Sequence, residues 1–226
     1  MKDDYSIDLR HIALEDYKRI LEIIDLTPSR KMIIEDIESR LSILKNHNIN
    51  NLEELLRRIA KDNQMKSFAR ETGLPEEYLI LLKREINSYS PKPVSIRDFP
   101  FVEEKVIIEL EKAGITNSKS FYEKAKSKKG RMELSQETGL SYEIILEITQ
   151  LVDLVRVRWV GATFSKMIYD AGVRSPRELM SANAIELHER LMKINQANKY
   201  TKGRFSVNDT QLCINFAKIL PKGIEY

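Results

Sequence analysis

The sequence predicts an all-α protein built as a tandem array of small helical units. Leu41–Ile86 is echoed without a gap by Ile107–Val152, at an offset of 66 residues. Within these copies, Glu71–Leu74 and Glu137–Leu140 both read Glu-Thr-Gly-Leu. A fixed internal period is typical of repeat architectures. The low content of glycine, proline and aromatic residues favours helices over strands.

The first helices follow from the spacing of apolar residues. A helix is predicted from about Leu14 to Leu26, because its apolar residues recur three and four positions apart. Thr27-Pro28-Ser29 then ends it. The same spacing predicts a second helix, whose apolar residues are Ile34, Ile37, Leu41 and Leu44.

Capping residues mark the remaining helices of the first unit. Asn51 and Glu54 have the spacing of a capping box, in which each side chain accepts a backbone N–H of the first turn. Gly73 suits the left-handed position after a helix, and Pro75 suits the first turn of the next one. The second unit repeats this plan, with Ser141 as the predicted N-cap of its last helix.

A proline-containing linker and a divergent third unit complete the domain organisation. Pro91 and Pro93 favour an extended chain. After Val155, Ser175 and Glu178 form another capping box, with Pro176 at the first helical position. The predicted segments are an N-terminal helix (1–30), helical unit one (31–90), the linker (91–101), helical unit two (102–155) and unit three (156–226).

The stretch that begins unit three resembles a helix-hairpin-helix motif, in which a Gly-hydrophobic-Gly turn joins two helices. Backbone N–H groups at such a turn can approach a nucleic-acid phosphate, and the following helix N-terminus favours negative charge. Val160 and Gly161 occupy the hydrophobic and second glycine positions, whereas Trp159 replaces the first glycine. A bulky residue hinders close approach of the backbone. Its indole ring could instead stack on a base, or pack against the neighbouring unit.

The equivalent turns of the other units have lost both glycines. In unit two the register falls on Phe101-Val102-Glu103, where the Glu103 carboxylate would repel a phosphate. In unit one it falls near Glu35-Asp36-Ile37, without a hairpin signature. We therefore expect these two turns to be structural corners.

Basic residues gather in two loops of the second half of the chain. Residues 1–113 contain 19 Lys/Arg and 22 Asp/Glu, whereas residues 114–226 contain 18 and 12, so the net charges are −3 and +6. Lys202-Gly203-Arg204 matches Lys129-Gly130-Arg131, which indicates a recurring basic loop able to hold phosphates. A solvated loop is the alternative interpretation. The basic residues of the loops are Lys124, Lys126, Lys128, Lys129, Arg131, Lys199, Lys202 and Arg204.

Signals for catalysis, metals and membranes are weak. Cys213 is the only cysteine, and the three histidines, His11, His47 and His188, have no metal-ligand spacing. Carboxylates are numerous, but the sequence does not pair them at a cleft. Acidic residues near the N-terminus argue against a signal peptide, and no apolar run approaches a membrane span. We expect a cytoplasmic protein that is not an enzyme and that has no cofactor, metal site or membrane contact.

The chain resembles a family catalogued as a domain of unknown function and built from tandem degenerate helix-hairpin-helix (SAM-like) units. The resemblance covers roughly residues 36–226. Relatives commonly carry Gly-Val-Gly where this chain has Trp159-Val160-Gly161. The resemblance implies an all-α fold and a nucleic-acid connection, without an established activity. It is carried by Ala113–Ile115, Gly130–Leu134, Glu137–Ser141, Asp153–Val157, Val160-Gly161, Ala171–Val173 and Leu187–Glu189.

Two functions fit these patterns. The first is a non-enzymatic module that binds a DNA or RNA backbone without sequence preference. The alternative is a protein-protein interaction scaffold, with purely structural hairpins and a protein partner. The residues expected at the nucleic-acid surface are Lys126, Lys128, Lys129, Arg131, Arg156, Arg158, Trp159, Val160, Gly161, Ala162, Thr163, Lys166, Lys202 and Arg204.

Overall fold

The computed structural model describes residues 4–24 and 26–226, and over these residues it is all-helical, as predicted. The described chain divides into two compact units: Ser6–Ser90, and Pro91–Tyr226 together with Asp4 and Tyr5. Two isolated β-bridges are the only strand-like pairings in these ranges. Within the same ranges, no helix combines the length and apolarity needed to cross a bilayer.

The first unit contains five α-helices: α1 (Leu14–Ile24), α2 (Ile37–Asn46), α3 (Leu52–Arg58), α4 (Asp62–Thr72) and α5 (Glu76–Asn87). The predicted first helix begins at Leu14 as expected. The predicted second helix begins later than expected, because Pro28–Ile33 forms a 3₁₀ turn and Asp36 has a left-handed φ of 48°. Ile34 consequently lies outside the helix and is 45% exposed.

The second unit contains eight α-helices: α6 (Glu104–Lys112), α7 (Ser118–Ala125), α8 (Lys128–Thr138), α9 (Tyr142–Leu154), α10 (Ala162–Asp170), α11 (Pro176–Leu179), α12 (Ala184–Asn198) and α13 (Val207–Ile219). Its core is formed by apolar side chains that include Ile107, Phe121, Ile145 and Val152.

The repeat seen in the sequence recurs in the helix boundaries. Helices α4 and α8 are related by the offset of 66 at both ends. Helices α6 and α10 are related by an offset of 58, whereas α9 and α13 are related by 65. The four helices α10–α13 therefore follow the order of α6–α9. The last two offsets differ by 7 residues, because α12 and its connection to α13 are together 9 residues longer than their counterparts, while α12 begins 2 residues earlier than the offset of 58 requires.

The entry into α3 and α7 is also built alike. In the first unit, Leu52 N donates to Ile12 O (3.2 Å) and Leu14 N donates to Asn50 O (3.1 Å). In the second, Ser118 N donates to Val94 O (2.7 Å), and a matching bond joins the next residues of the same two segments. The segment that precedes each copy thus pairs with the loop before its second helix, a long-range pairing that the sequence repeat did not reveal.

The predicted capping residues perform their role at the helix starts. The Asn51 side chain accepts from Glu54 N (2.9 Å). The Glu54 carboxylate accepts from Asn50 N (2.8 Å), one residue further back than a standard capping box. Ser175 accepts from the Glu178 N–H in the same way at α11 (3.2 Å). These bonds satisfy N–H groups that a helix leaves without intrahelical partners.

Candidate nucleic-acid interface

The turn between α9 and α10 is a tight bend of the backbone. Val157 N donates to Leu154 O (3.0 Å), and Val160 N donates to Val157 O (3.1 Å). The Val160 side chain is buried, whereas Gly161 is exposed. Gly161 is the N-cap of α10, and no side chain caps that helix. The first turn of α10 therefore presents N–H groups without a side-chain acceptor, the arrangement that favours an anion.

Trp159 has a left-handed backbone conformation and an exposed side chain. Its φ is 68°, in the left-handed region that glycine adopts most readily. The side chain does not fill the core, since the residue is 47% exposed. The guanidinium of Arg158 lies 3.9 Å from the ring centroid and covers one face of the indole. A cation at this distance is held by the negative face of the aromatic ring.

A residue with a left-handed φ also precedes α6 and α2, three positions ahead of α6, as Trp159 is of α10, but directly ahead of α2. Phe101, just before α6, has a φ of 73° and is 65% exposed. Asp36, just before α2, has a φ of 48°. Left-handed residues other than glycine therefore occur before all three helices, which composition alone could not reveal. The Glu103 side chain is paired with Lys105 (2.7 Å) and is exposed beside the start of α6.

Residues 199–206, which we name the basic loop, connect α12 to α13 and lie beside α10. The Tyr200 hydroxyl donates to the Asp170 carboxylate at the end of α10. Burial and this bond raise the pKa of Tyr200 to about 12. At the other end of the loop, the rings of Phe205 and Phe164 meet at 5.4 Å. Phe164 belongs to the first turn of α10, so the basic loop is anchored next to the uncapped helix end.

The charged side chains of the basic loop point into solvent. Lys202 and Arg204 are exposed, and no ion pair in the described structure engages them. The loop backbone is fixed by Asn195, whose amide accepts from Thr201 N (2.9 Å) and donates to Thr201 O (3.1 Å). A rigid loop with two uncommitted cations suits electrostatic contact with phosphates.

The earlier basic segment divides between side chains that are paired or buried and side chains that are exposed. Lys126 pairs with Asp4 (3.1 Å), and Lys129 pairs with Glu133 (3.5 Å). Arg131 is 1% exposed and donates to the carbonyls of Ala125 (3.0 Å) and Glu225 (2.7 Å). Arg131 therefore has no surface to offer a ligand. Lys128 is exposed and Lys124 pairs with Glu137.

The similarity between Lys129–Arg131 and Lys202–Arg204 is not a structural equivalence. The first tripeptide forms part of the opening turn of α8, whereas the second lies in the loop after α12. The two segments do not form a recurring basic loop.

Three further residues that were expected at the surface are buried or already form ion pairs within the protein. Arg156 is 1% exposed and donates to Tyr5 O (2.9 Å), Pro221 O (2.8 Å) and the Asp153 carboxylate. Arg158 is 2% exposed beneath Trp159. The Lys166 ammonium pairs with Asp170 (2.5 Å) and Glu147 (3.8 Å), and only 14% of its side chain is exposed.

Six of the expected residues are brought together by aromatic contacts that the sequence did not single out. Trp159, Gly161, Ala162 and Thr163 form the bend and the first turn of α10, while Lys202 and Arg204 extend from the basic loop beside it. Ala162 is only 8% exposed, so its side chain has little surface to offer a ligand. The signal that could have located this site is the pair of aromatic residues within the basic loop, Tyr200 and Phe205.

Other chemistry receives little support from the described residues. No group of three or more His, Cys, Asp or Glu side chains could hold a metal ion among them. Cys213 is buried, and this burial raises the pKa of its thiol to about 12, which disfavours the nucleophilic thiolate. His188 lies against the ring of Phe205 at 5.3 Å, and no paired carboxylate accompanies it in the described structure.

Comparison with known proteins places the chain in one family. No curated protein and no solved structure matches it. The model of the family described as Domain of unknown function (DUF4332) matches residues 100–218, more than half of the chain, and the protein belongs to that family.

Proposed function

We propose that the protein binds a nucleic-acid backbone without sequence preference and without catalysing a reaction. In this proposal the bend from Trp159 to Gly161 is a degenerate helix-hairpin-helix turn. The phosphate meets the free N–H groups at the start of α10. The single observation that carries the proposal is the basic loop anchored beside this uncapped helix end through Phe205 and Phe164.

The charge distribution supports an anionic ligand at this place. Lys202 and Arg204 are exposed cations adjacent to N–H groups that no side chain satisfies. The helix dipole adds partial positive charge to the same region. The uncapped helix end and the cations of the loop anchored beside it are thus two independent sources of positive potential, and each is complementary to a phosphate.

The chemistry of the site explains why the protein should bind nucleic acid without recognising its nucleotide sequence. Base recognition requires polar side chains that reach base edges. The first turn of α10 instead carries Ala162, Thr163 and Phe164, of which Phe164 is engaged with Phe205. Backbone amides and flexible cations contact phosphates, which are the same in every sequence.

A salt titration tests this proposal directly. We expect labelled oligonucleotides to bind in an anisotropy assay. The logarithm of the association constant should fall linearly with the logarithm of the salt concentration. The double variant Lys202→Ala/Arg204→Ala should reduce the magnitude of this slope by about 1.4 on single strands and about 1.8 on duplex. Absence of binding at low salt would remove the proposal.

The matched control changes the same charge elsewhere. Lys31 and Lys66 are exposed residues of the first unit, whereas the bend belongs to the second. The double variant Lys31→Ala/Lys66→Ala should keep the wild-type slope. An equal loss in both double variants would indicate a general charge effect and no defined site.

An interaction scaffold remains the second candidate, because α12 exposes apolar side chains. Ile185 is 59% exposed and Met192 is 48% exposed, and their seven-residue separation places them on one helix face. We expect Ile185→Ser/Met192→Ser to abolish any self-association seen by light scattering if this face binds protein. A monomeric wild-type protein at all concentrations argues against a homotypic scaffold.

We also place the protein in the cytoplasm, where nucleic acid is available. The single, buried cysteine is compatible with a reducing compartment. Fractionation of cells that express the tagged chain tests this location.

A further inference from the structure

We propose that the nucleic acid bound at this site is single-stranded, with an unpaired base stacked on the indole of Trp159. The inference rests on the proposed function and specifies its substrate class. It starts from an unusual residue choice, since Trp159 holds a left-handed φ of 68°. Bulky residues adopt this conformation rarely, and the ring gains little burial in return, because the residue is 47% exposed.

The indole is held as a flat platform with one face open. Arg158 is 2% exposed, so its guanidinium is fixed within the protein, and it lies 3.9 Å from the centroid of the ring. One face of the indole is thereby covered, while 47% of the residue stays exposed to solvent. An ordered aromatic face can stack on any base, since every base has a π-face.

A duplex cannot use this platform. Its bases are paired and stacked on each other, so their faces are not accessible. Recognition of a duplex backbone by a glycine turn also requires a small residue where the phosphate approaches the amides, and here the residue is Trp159. The same substitution that hinders a duplex therefore offers a contact to an unpaired base.

A second exposed ring lies where the basic loop begins. Phe101 is 65% exposed and its ring meets that of Tyr200 at 5.1 Å. The basic loop runs from Tyr200 past Lys202 and Arg204 to Phe205, which contacts the first turn of α10. Cations that hold phosphates are thus placed between two turns that present aromatic rings, the combination used by proteins that bind single strands without sequence preference.

Binding of three ligands by matched variants tests the inference. The ligands are labelled oligo-dT, oligo-rU and a DNA duplex, each about 12 nucleotides or base pairs long, within the site sizes of roughly 4–16 nucleotides of single-strand binders. We expect the wild-type protein to bind at least one single strand about tenfold or more tightly than the duplex. The dT and rU arms distinguish DNA from RNA as the source of the strand.

Two substitutions at position 159 distinguish the contribution of the aromatic ring from that of the backbone conformation. Trp159→Phe keeps an aromatic face and should bind single strands within about threefold of wild type. Trp159→Gly removes the ring but suits the left-handed backbone, so it should fold normally. We expect it to weaken single-strand binding about tenfold or more, and to leave duplex binding unchanged or improved.

The outcomes separate this inference from the proposed function. If Trp159→Gly binds single strands as wild type does, while Lys202→Ala/Arg204→Ala weakens both ligand types, the backbone proposal stands and stacking is wrong. Equal affinity for duplex and single strands in the wild type also overturns the inference. Failure of every ligand to bind overturns both proposals.

A spectroscopic signal reports the stacking itself. Trp159 is the only tryptophan of the chain, so its intrinsic fluorescence reports on this residue alone. We expect unlabelled single strands to quench the emission in proportion to the bound fraction measured by anisotropy. Binding without a change in emission would place the base elsewhere and overturn the inference.

Discussion

Arg156 and Asp153 form a buried ion pair one turn apart at the end of α9, with 1% and 5% of their side chains exposed. The Arg156 guanidinium also donates to Tyr5 O (2.9 Å) and Pro221 O (2.8 Å). Tyr226 donates to the other carboxylate oxygen of Asp153 (2.9 Å). One arginine thus joins segments from both ends of the chain to the helix that precedes the candidate site.

Replacement of this arginine should strongly destabilise the second unit. In Arg156→Met, the Asp153 carboxylate loses its buried cation, and breaking a buried pair costs about 3–5 kcal/mol. Urea unfolding followed by circular dichroism measures the change. The exposed pair of Lys129 and Glu133 supplies the control, because Lys129→Ala should leave the midpoint unchanged. Equal midpoints for wild type and Arg156→Met would contradict this structural role.

The contribution of Glu85 to the free energy of unfolding of the first unit should decrease as the pH rises. Burial raises the pKa of this carboxyl above its ordinary value of 4.5, although the neighbouring Arg30 opposes the shift. The folded state therefore binds more protons than the unfolded state between these two pKa values. The stabilisation is fully present below 4.5 and is lost as the pH rises through the folded pKa.

The variant Glu85→Gln isolates this contribution, since glutamine does not titrate. We expect the stability of wild type relative to Glu85→Gln to decline from about pH 4.5 upward, measured by urea unfolding in a pH series. Other carboxyls such as Asp8, whose pKa the Arg10 side chain holds well below its usual range, titrate equally in both proteins and cancel. A relative stability that increases with pH would contradict the raised pKa.

The helices and the location of the bend could be predicted because their signals are local. Capping residues such as Asn51 and Ser175 act within three positions, and the repeat fixes corresponding helix ends. The bend before α10 was predicted from two residues, Val160 and Gly161, that lie next to each other.

The burial of Arg131 and Arg156 could not be predicted, because their hydrogen-bond partners are remote in sequence. Arg131 donates to the carbonyl of Glu225, 94 positions away, and Arg156 donates to that of Tyr5, 151 positions away. A local pattern of basic residues does not reveal these acceptors. The position of the basic loop was missed for the same reason, since it depends on the contact between Phe164 and Phe205.

Gly139 should be required for the turn that ends α8. Its φ is 68°, and a Cβ built there has no neighbour within 4 Å, so the cost of substitution is conformational. We expect Gly139→Ala to lower the free energy of unfolding by about 1 kcal/mol. Gly139→Asn should lower it less, because asparagine tolerates the left-handed region better. Thermal and urea unfolding of both variants measure the difference, and equal losses would point to a steric cause.

Gly161→Asp should stabilise the protein and weaken its binding to nucleic acid. Gly161 has the extended backbone of an N-cap, with φ −84° and ψ 177°, and open space surrounds its Cα. An aspartate there can accept the free N–H groups of α10 and complement the helix dipole, which contributes about 0.5–1 kcal/mol. The same carboxylate would occupy the proposed phosphate position and repel the ligand.

Opposite signs for stability and affinity make this change diagnostic. A variant that bound poorly because it was misfolded would unfold at a lower urea concentration, whereas Gly161→Asp should unfold at a higher one. Gly161→Ser, which caps without a charge, should shift stability and affinity in the same directions by smaller amounts. Anisotropy titrations at low salt give the affinities. If Gly161→Asp is stabilised and still binds as tightly as wild type, the N–H groups of α10 do not contact phosphate, and the cations of the basic loop act without them.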